Sequence, residues 1–190
     1  MPMEPVVGTE AGREMRPAEE VVKVWDPFVR VFHWSLVVLF AAAWASEEWP
    51  LVHERIGYGV MGLVAMRIVW GFVGPRTARF SDFIRPPAVV MEHIAAIARG
   101  APGQSLGHNP VGGLMVLALL AALLATGLTG WLTTTDLLAD GDLLEEVHEA
   151  LATLTLALVG VHVLGVIFMS VLTRDNLVRA MITGRKRRRP

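Results

Sequence analysis

The chain has 190 residues, 53% of them hydrophobic, with a mean hydropathy of +0.49 and a formal net charge of −1. That length favours one domain, and that hydropathy is high for a water-soluble protein of this size. Cysteine is absent, which excludes disulfides, thiolate zinc sites, iron–sulfur clusters and covalent haem attachment through C-x-x-C-H.

Residues 1–20 are polar and carry three prolines with no apolar periodicity; they read as a disordered cytoplasmic leader. Val21–Arg30 then approaches a membrane, with Asp26-Pro27 as a helix start: Asp as N-cap, Pro in the first turn. Four apolar segments follow, at about Val31–Trp49, His53–Val73, Pro110–Leu132 and Val147–Leu172. The last three reach the roughly 20 residues a bilayer demands. The first is shorter, runs to about Trp49-Pro50, where the proline ends it, and spans if Trp49 marks its interfacial end. None alternates as a barrel strand would, so all four are expected to be helices.

Between the second and third segments, Pro87–Arg99 has helical periodicity in Val89, Val90, Ile94, Ala95, Ile97 and Ala98. Pro86-Pro87 starts it and Gly100 stops it. This short helix lies either on the membrane surface or packed in the loop without lipid contact. Gly112, Gly113, Gly127 and Gly130 in the third segment, and Gly160 and Gly165 in the fourth, allow close approach of helices or of a flat cofactor. Residues 185–190 form a basic tail, whose charge suits anionic lipid headgroups. The expected fold class is all-α: an integral membrane four-helix bundle over residues 21–184.

Charge sets the orientation. The loop Glu47–Arg55 holds Glu47, Glu48 and Glu54 against Arg55, and Thr133–Glu146 holds Asp136, Asp140, Asp142, Glu145 and Glu146 with no base. Arg13, Arg16, Lys23, Arg30, Arg76, Arg79, Arg85, Arg99, Arg174, Arg179 and the run Arg185–Arg189 fall on the other side. The positive-inside rule then makes both termini cytoplasmic, for a multi-pass protein of a bacterial inner membrane. Ala43-Trp44-Ala45 resembles a signal-peptidase site, but a long, acid-rich stretch precedes it where a short basic one belongs.

The chemistry is concentrated in histidines. His148 and His162 stand fourteen residues apart on the fourth segment, close to four helical turns and about 21 Å of rise, so both face one way. His33 lies near the cytoplasmic end of the first segment and His53 at the outer start of the second. Depth pairs His33 with His162 and His53 with His148. Two bis-histidine sites stacked across the membrane suit two non-covalent b haems, since two imidazoles give a six-coordinate iron and a bundle core can supply them from facing helices. Singly, His53 and His148 also suit an interface and His33 an interfacial anchor beside Trp34. An ionisable group as deep as His162 is costly without a function.

Arg67 repeats the fourteen-residue interval after His53, which puts a cation at the inner level. It suits a haem propionate or a quinone carbonyl; the alternative is snorkelling to the interface. Arg30, one turn before His33, suits inner propionates or merely adds to the basic face. His108, at the start of the third segment, fits either helix capping or a place near a quinone or propionate. His93 reads as a surface residue. Glu54 and Glu149 follow the outer histidines without sharing their face, and read as helix N-terminal charges. No H-E-x-x-H is present, so a zinc protease has no support.

These residues together resemble the bacterial cytochrome b561 family, whose relatives include the cytochrome b subunits of nickel–iron hydrogenases. The resemblance covers about Val24 to Gly184. It is carried by Arg30-Val31-Phe32-His33-Trp34, His53 with Gly57 and Arg67, Trp70-Gly71-Phe72 within Arg67–Phe83, Gly107-His108-Asn109-Pro110, and His148-Glu149 with His162. It implies two b haems ligated by His33, His53, His148 and His162, and electron transfer between the quinone pool and a partner at the outer face.

The reading is therefore a dihaem electron carrier whose partners are membrane lipid, quinone and a periplasmic redox protein such as a c-type cytochrome, steered by the acidic outer loops. No nucleic acid is expected. The alternative is the membrane-anchoring cytochrome b subunit of a larger complex such as a hydrogenase. A histidine-dependent transporter would need further polar groups within the spans, and almost none exist beyond Arg67. A purely structural anchor leaves the matched histidine depths unexplained. A homodimer through the glycine-bearing third segment is a further partner considered.

Overall fold

A computed structural model describes residues 20–101, 103, 107–135, 137 and 141–188. The leader 1–19, Asp136, Asp140 and Arg189 lie outside the described residues. In chain order a short strand β1 (Glu20–Lys23) leads to helices α1 (Pro27–Ala45) and α2 (Pro50–Val73), then a 3-10 turn (Arg76–Ala78). Short α3 (Phe80–Phe83) and α4 (Pro87–Ala98) follow, then α5 (Pro110–Thr133), α6 (Gly141–Thr173), α7 (Leu177–Thr183) and strand β2 (Arg185–Arg188). Helices α1, α2, α5 and α6 are long and apolar enough to cross a membrane.

Their starts follow one rule. Proline opens α1, α2, α4 and α5, where its missing N–H would have lacked an intrahelical partner anyway. Asp26 caps α1, its Oδ1 accepting from Val29 N at 3.0 Å. Asn109, rather than His108, caps α5, accepting from Gly112 N at 2.6 Å.

Two boundaries differ from the sequence expectation. The first helix begins at Pro27 as expected but ends at Ala45, and Pro50 starts the second helix instead of ending the first. The Ser46 backbone N–H and Oγ both donate to Ala43 O, at 3.2 and 3.1 Å, and close α1. Helix α6 begins six residues before Val147. Glu54 and Glu149 therefore lie beyond the first turns of their helices, where the dipole argument has faded. Glu54 instead accepts from the Tyr58 hydroxyl at 2.8 Å.

Helix α1 packs on α2, α2 on α5 and α5 on α6. The core is Phe32, Val60, Val64, Leu120 and Leu123, all from α1, α2 and α5. At the α2–α5 crossing Gly127 lies against Met61, where any side chain would collide. Helix α6 contributes one fully buried residue, Thr155. Neither α1 nor α2 forms an extensive interface with α6 among the described residues. Side chains, not backbone packing, span that side of the bundle.

The helices are joined at one end by a ribbon that the sequence reading did not anticipate. β1 pairs antiparallel with β2, Val22 opposite Lys186, so both ends of the described chain lie on one side. Gly184, at φ 76°, ends α7 in the left-handed region. Its carbonyl accepts from Val24 N at 2.9 Å and Trp25 N at 3.2 Å. The Arg30 guanidinium donates to the Ile182 carbonyl. The basic run is thus partly a strand holding the start of α1.

This clasp predicts a cost for Gly184→Ala of about 1–2 kcal/mol, because a left-handed φ disfavours a Cβ. The new Cβ would also sit 2.9 Å from Trp25 O. Gly100 has φ +73° with nothing within 4 Å, so Gly100→Ala carries the backbone cost alone. Thermal melting of the full chain in detergent should fall further for Gly184→Ala than for Gly100→Ala. Equal melting points would show that the clasp holds nothing.

Candidate cofactor site

Seven-residue spacing on α6 brings three polar side chains to one stripe: His148, Thr155 and His162. The stripe faces α1 and α2 across the unpacked side of the bundle. At the end far from the ribbon, the His53 and His148 ring centroids are 6.1 Å apart, with planes at 89°. At the ribbon end His33 and His162 stand 6.4 Å apart, with planes at 56°. All four rings are half-buried. Along α6 the two levels are separated by about 21 Å.

The far pair is oriented by backbone. His53 Nδ1 is 2.9 Å from Ala43 O, and His148 Nδ1 is 2.9 Å from Thr126 O. A carbonyl only accepts, so each Nδ1 carries the hydrogen, and the neutral ring keeps its Nε2 lone pair free. The same Thr126 shares a hydroxyl contact of 3.0 Å with Thr155. One residue of α5 thus fixes both a ring and the midpoint of the α6 stripe. Gly130 completes the fit: a Cβ there would lie 2.7 Å from His148 Cε1.

The near pair sits among polar atoms that lack partners. Arg67 is 2% exposed. Its Nη2 donates to Ala78 O at 3.1 Å, while Nη1 is buried without a hydrogen bond among the described residues. The guanidinium carbon lies 5.3 Å from the Phe80 ring centre, within cation–π range. Arg67 therefore does not snorkel; the loop after α2 folds back and encloses it. His33 Nδ1, Arg30 Nε and His108 Nδ1 are likewise buried without partners among the described residues.

His108 does not cap α5. Its ring packs between Trp25 at 4.6 Å and Phe83 at 4.8 Å. Burial, then the charge of Arg67 and the facing His162 and His33, push its pKa down to about 3, so it stays neutral at ordinary pH. His93 stands apart on α4, half-buried rather than on the open surface. Among the described residues no three His, Asp or Glu side chains converge as a metal-ion site. The imidazoles come in twos.

Sequence reasoning missed Thr126 and Thr155, and it named Gly130 only among the small residues of its segment. Thr155 carried a readable signal, a hydroxyl seven residues from each histidine of an apolar span. The Thr126 carbonyl carried none, because any residue supplies one.

A profile of the prokaryotic cytochrome b561 family matches residues 24–184. The chain belongs to that family. Membership makes it a multi-pass membrane cytochrome b of electron transfer, with haem b as its cofactor. The match runs from the end of the ribbon's first strand to Gly184 and takes in all four histidines of the stripe and its facing helices. No curated protein matches the chain, and no solved structure does.

For this cytochrome the packing at Gly130 predicts a specific defect. Gly130→Ala should displace His148 and lower the haem retained per chain after purification from haem-replete cells. Displacing the ring breaks its Nδ1 contact with Thr126 O, and loss of such an orienting partner typically costs about 10–100-fold in metal affinity. Gly141→Ala, which meets nothing within 4 Å, should retain the parent's content. Unchanged haem in Gly130→Ala would remove His148 from the binding site.

Proposed function

We propose that the chain carries electrons across the membrane through two b haems, one held by His33 and His162 and the other by His53 and His148. The carrying observation is the spacing of the two imidazole pairs. The ring centres stand 6.4 and 6.1 Å apart, a gap in which each pair of imidazoles would hold one haem iron at metal–nitrogen distances of about 2 Å. Backbone-held Nδ1–H groups on the far pair fit the same role, since ligating histidines generally donate their second N–H.

Haem, when bound, supplies the one-electron chemistry. The protein positions and shields it. Helix α6 sets the distance between the two levels, and Phe32, Val60 and Val64 close the apolar wall of α1 and α2. Arg67 Nη1, Arg30 Nε and His108 Nδ1, which lack partners among the described residues, are suited to propionate carboxylates at the near level, His108 when Nδ1 carries its hydrogen. Arg67 is equally suited to a quinone carbonyl.

Both chain ends are assigned to the cytoplasm, because the Lys and Arg surplus lies at the ribbon end. Quinone is the proposed partner within the membrane. On the periplasmic side Glu47, Glu48, Asp142, Glu145 and Glu146 give an acidic rim that would steer a basic carrier such as a small c-type cytochrome.

A reduced-minus-oxidised visible spectrum with pyridine haemochrome stoichiometry tests the ligand set. Two low-spin b haems per chain are expected. Alanine at His33, His53, His148 or His162 should each leave one, and His93→Ala should leave both. A colourless chain from haem-replete cells, or loss at His93 equal to loss at His162, would contradict the assignment.

A further inference from the structure

The two imidazole pairs differ in what holds them. At the far level both rings are anchored to backbone: His53 Nδ1 donates to Ala43 O and His148 Nδ1 to Thr126 O, each at 2.9 Å. At the near level His33 Nδ1 is buried with no acceptor among the described residues.

This difference bears on redox poise. An N–H held by a carbonyl makes its imidazole a more basic ligand. A more basic ligand favours ferric over ferrous iron and lowers the potential, and hydrogen bonding behind the ligand is one of the levers a protein has on haem. That lever acts on both ligands of the far level and is missing at His33.

Charge acts in the same direction. Arg67 is 2% exposed. Arg67, His162 and His33 all act on His108 through their charge, so the four share one neighbourhood. Asp26 is the carboxylate whose charge acts on Arg67, and Asp82 lies on α3, within the loop that encloses it. Against these two carboxylates stand Arg30 and Arg67, with Arg76 and Arg79 exposed on the same loop. A surplus of positive charge favours the reduced iron, which carries one positive charge fewer. The far level is surrounded differently. Glu54 and Glu149 adjoin its ligands in the chain, and the loop Glu47–Arg55 sets Glu47, Glu48 and Glu54 against Arg55. Glu47, Glu48 and Glu149 are exposed, where salt screens charge beyond about 8 Å. Buried Arg67 is screened least, so it carries the larger share of the difference.

Given the two haems assigned to these pairs, we propose that the protein orders their potentials. The near haem, between His33 and His162 beside Arg67, has the higher potential, and the far haem, between the carbonyl-anchored His53 and His148, the lower. Each haem brings the same two propionates, so the difference is set by the protein. A single electron shared between the levels rests at the near one. Its passage leaves the far iron ferric and the near iron ferrous, with no bond or proton changed. The chain is thereby biased to take electrons from a partner at the far end and hold them at the ribbon end.

The test is a spectroelectrochemical titration of the haem-loaded full chain in detergent, read in the visible α-band. Two one-electron waves are expected, separated by at least about tenfold in equilibrium, which is about 59 mV for one electron. His148→Ala, which keeps the near haem, should retain the upper wave, and His162→Ala the lower. In the two-haem protein Arg67→Gln should lower the upper wave and leave the lower in place, and Arg67→Lys should restore it. Arg30→Gln should move the same wave the same way by less, and it reads the effect of charge even if Arg67→Gln fails to fold. Coincident waves, an upper wave retained by His162→Ala, or arginine variants that shift both waves equally would overturn the ordering and leave the haem ligation standing. A chain that holds no haem would overturn both.

Discussion

A polar side chain inside a bilayer has no water to satisfy it, so the protein must supply its partner. Helix α6 puts three such groups on one stripe, His148, Thr155 and His162, and the rest of the bundle is arranged around them. Thr155 finds the Thr126 hydroxyl on α5 at 3.0 Å. Interhelical bonds of this type average only about 0.6 kcal/mol in a membrane, too little to hold a 33-residue helix. Packing of α5 on α6 holds it, and the hydroxyl pair sets how the stripe is turned. That rotation brings both histidines to face α1 and α2.

The two ends of the stripe are finished differently. At the far end, carbonyls of α1 and α5 fix the rings, so orientation comes from backbone that is already rigid. At the ribbon end, polar groups gather in a place enclosed by loops: Arg67 under the turn after α2, neutral His108 between Trp25 and Phe83, Arg30 bonded to the Ile182 carbonyl. A buried guanidinium with only part of its donor set used is costly by itself. An oxygen-bearing anionic group would offset that cost. The ribbon and α7 close this end.

Much of this was legible because the strongest signals were periodic. Four apolar runs marked the long helices, and a fourteen-residue interval put His148 and His162 on one face without any tertiary information. Asp26-Pro27 was readable as a start, since the cap and the proline act locally. Pro50 misled, because a proline marks a boundary without saying on which side the helix lies. The start of α6 at Gly141 was hidden by an acidic stretch that looked like loop. The ribbon was illegible: β1 and β2 are four-residue segments at opposite ends of the chain, and nothing local announces a partner that distant. Spacing alone assigned Arg67 to the inner level. Its burial depended on how the loop Arg76–Phe83 folds back, which periodicity does not describe.

The central claim is that the two imidazole pairs form one conducting path across the membrane. The most direct measurement is electron transfer through sealed vesicles that contain the purified chain, with a membrane-impermeant reductant inside and ferricyanide outside. Ferricyanide reduction should scale with protein and stop when either His33 or His148 is changed to alanine, since each change interrupts a different level. Vesicles loaded with fully haem-replete protein that pass no electrons, or that pass them undiminished in both variants, would contradict the account.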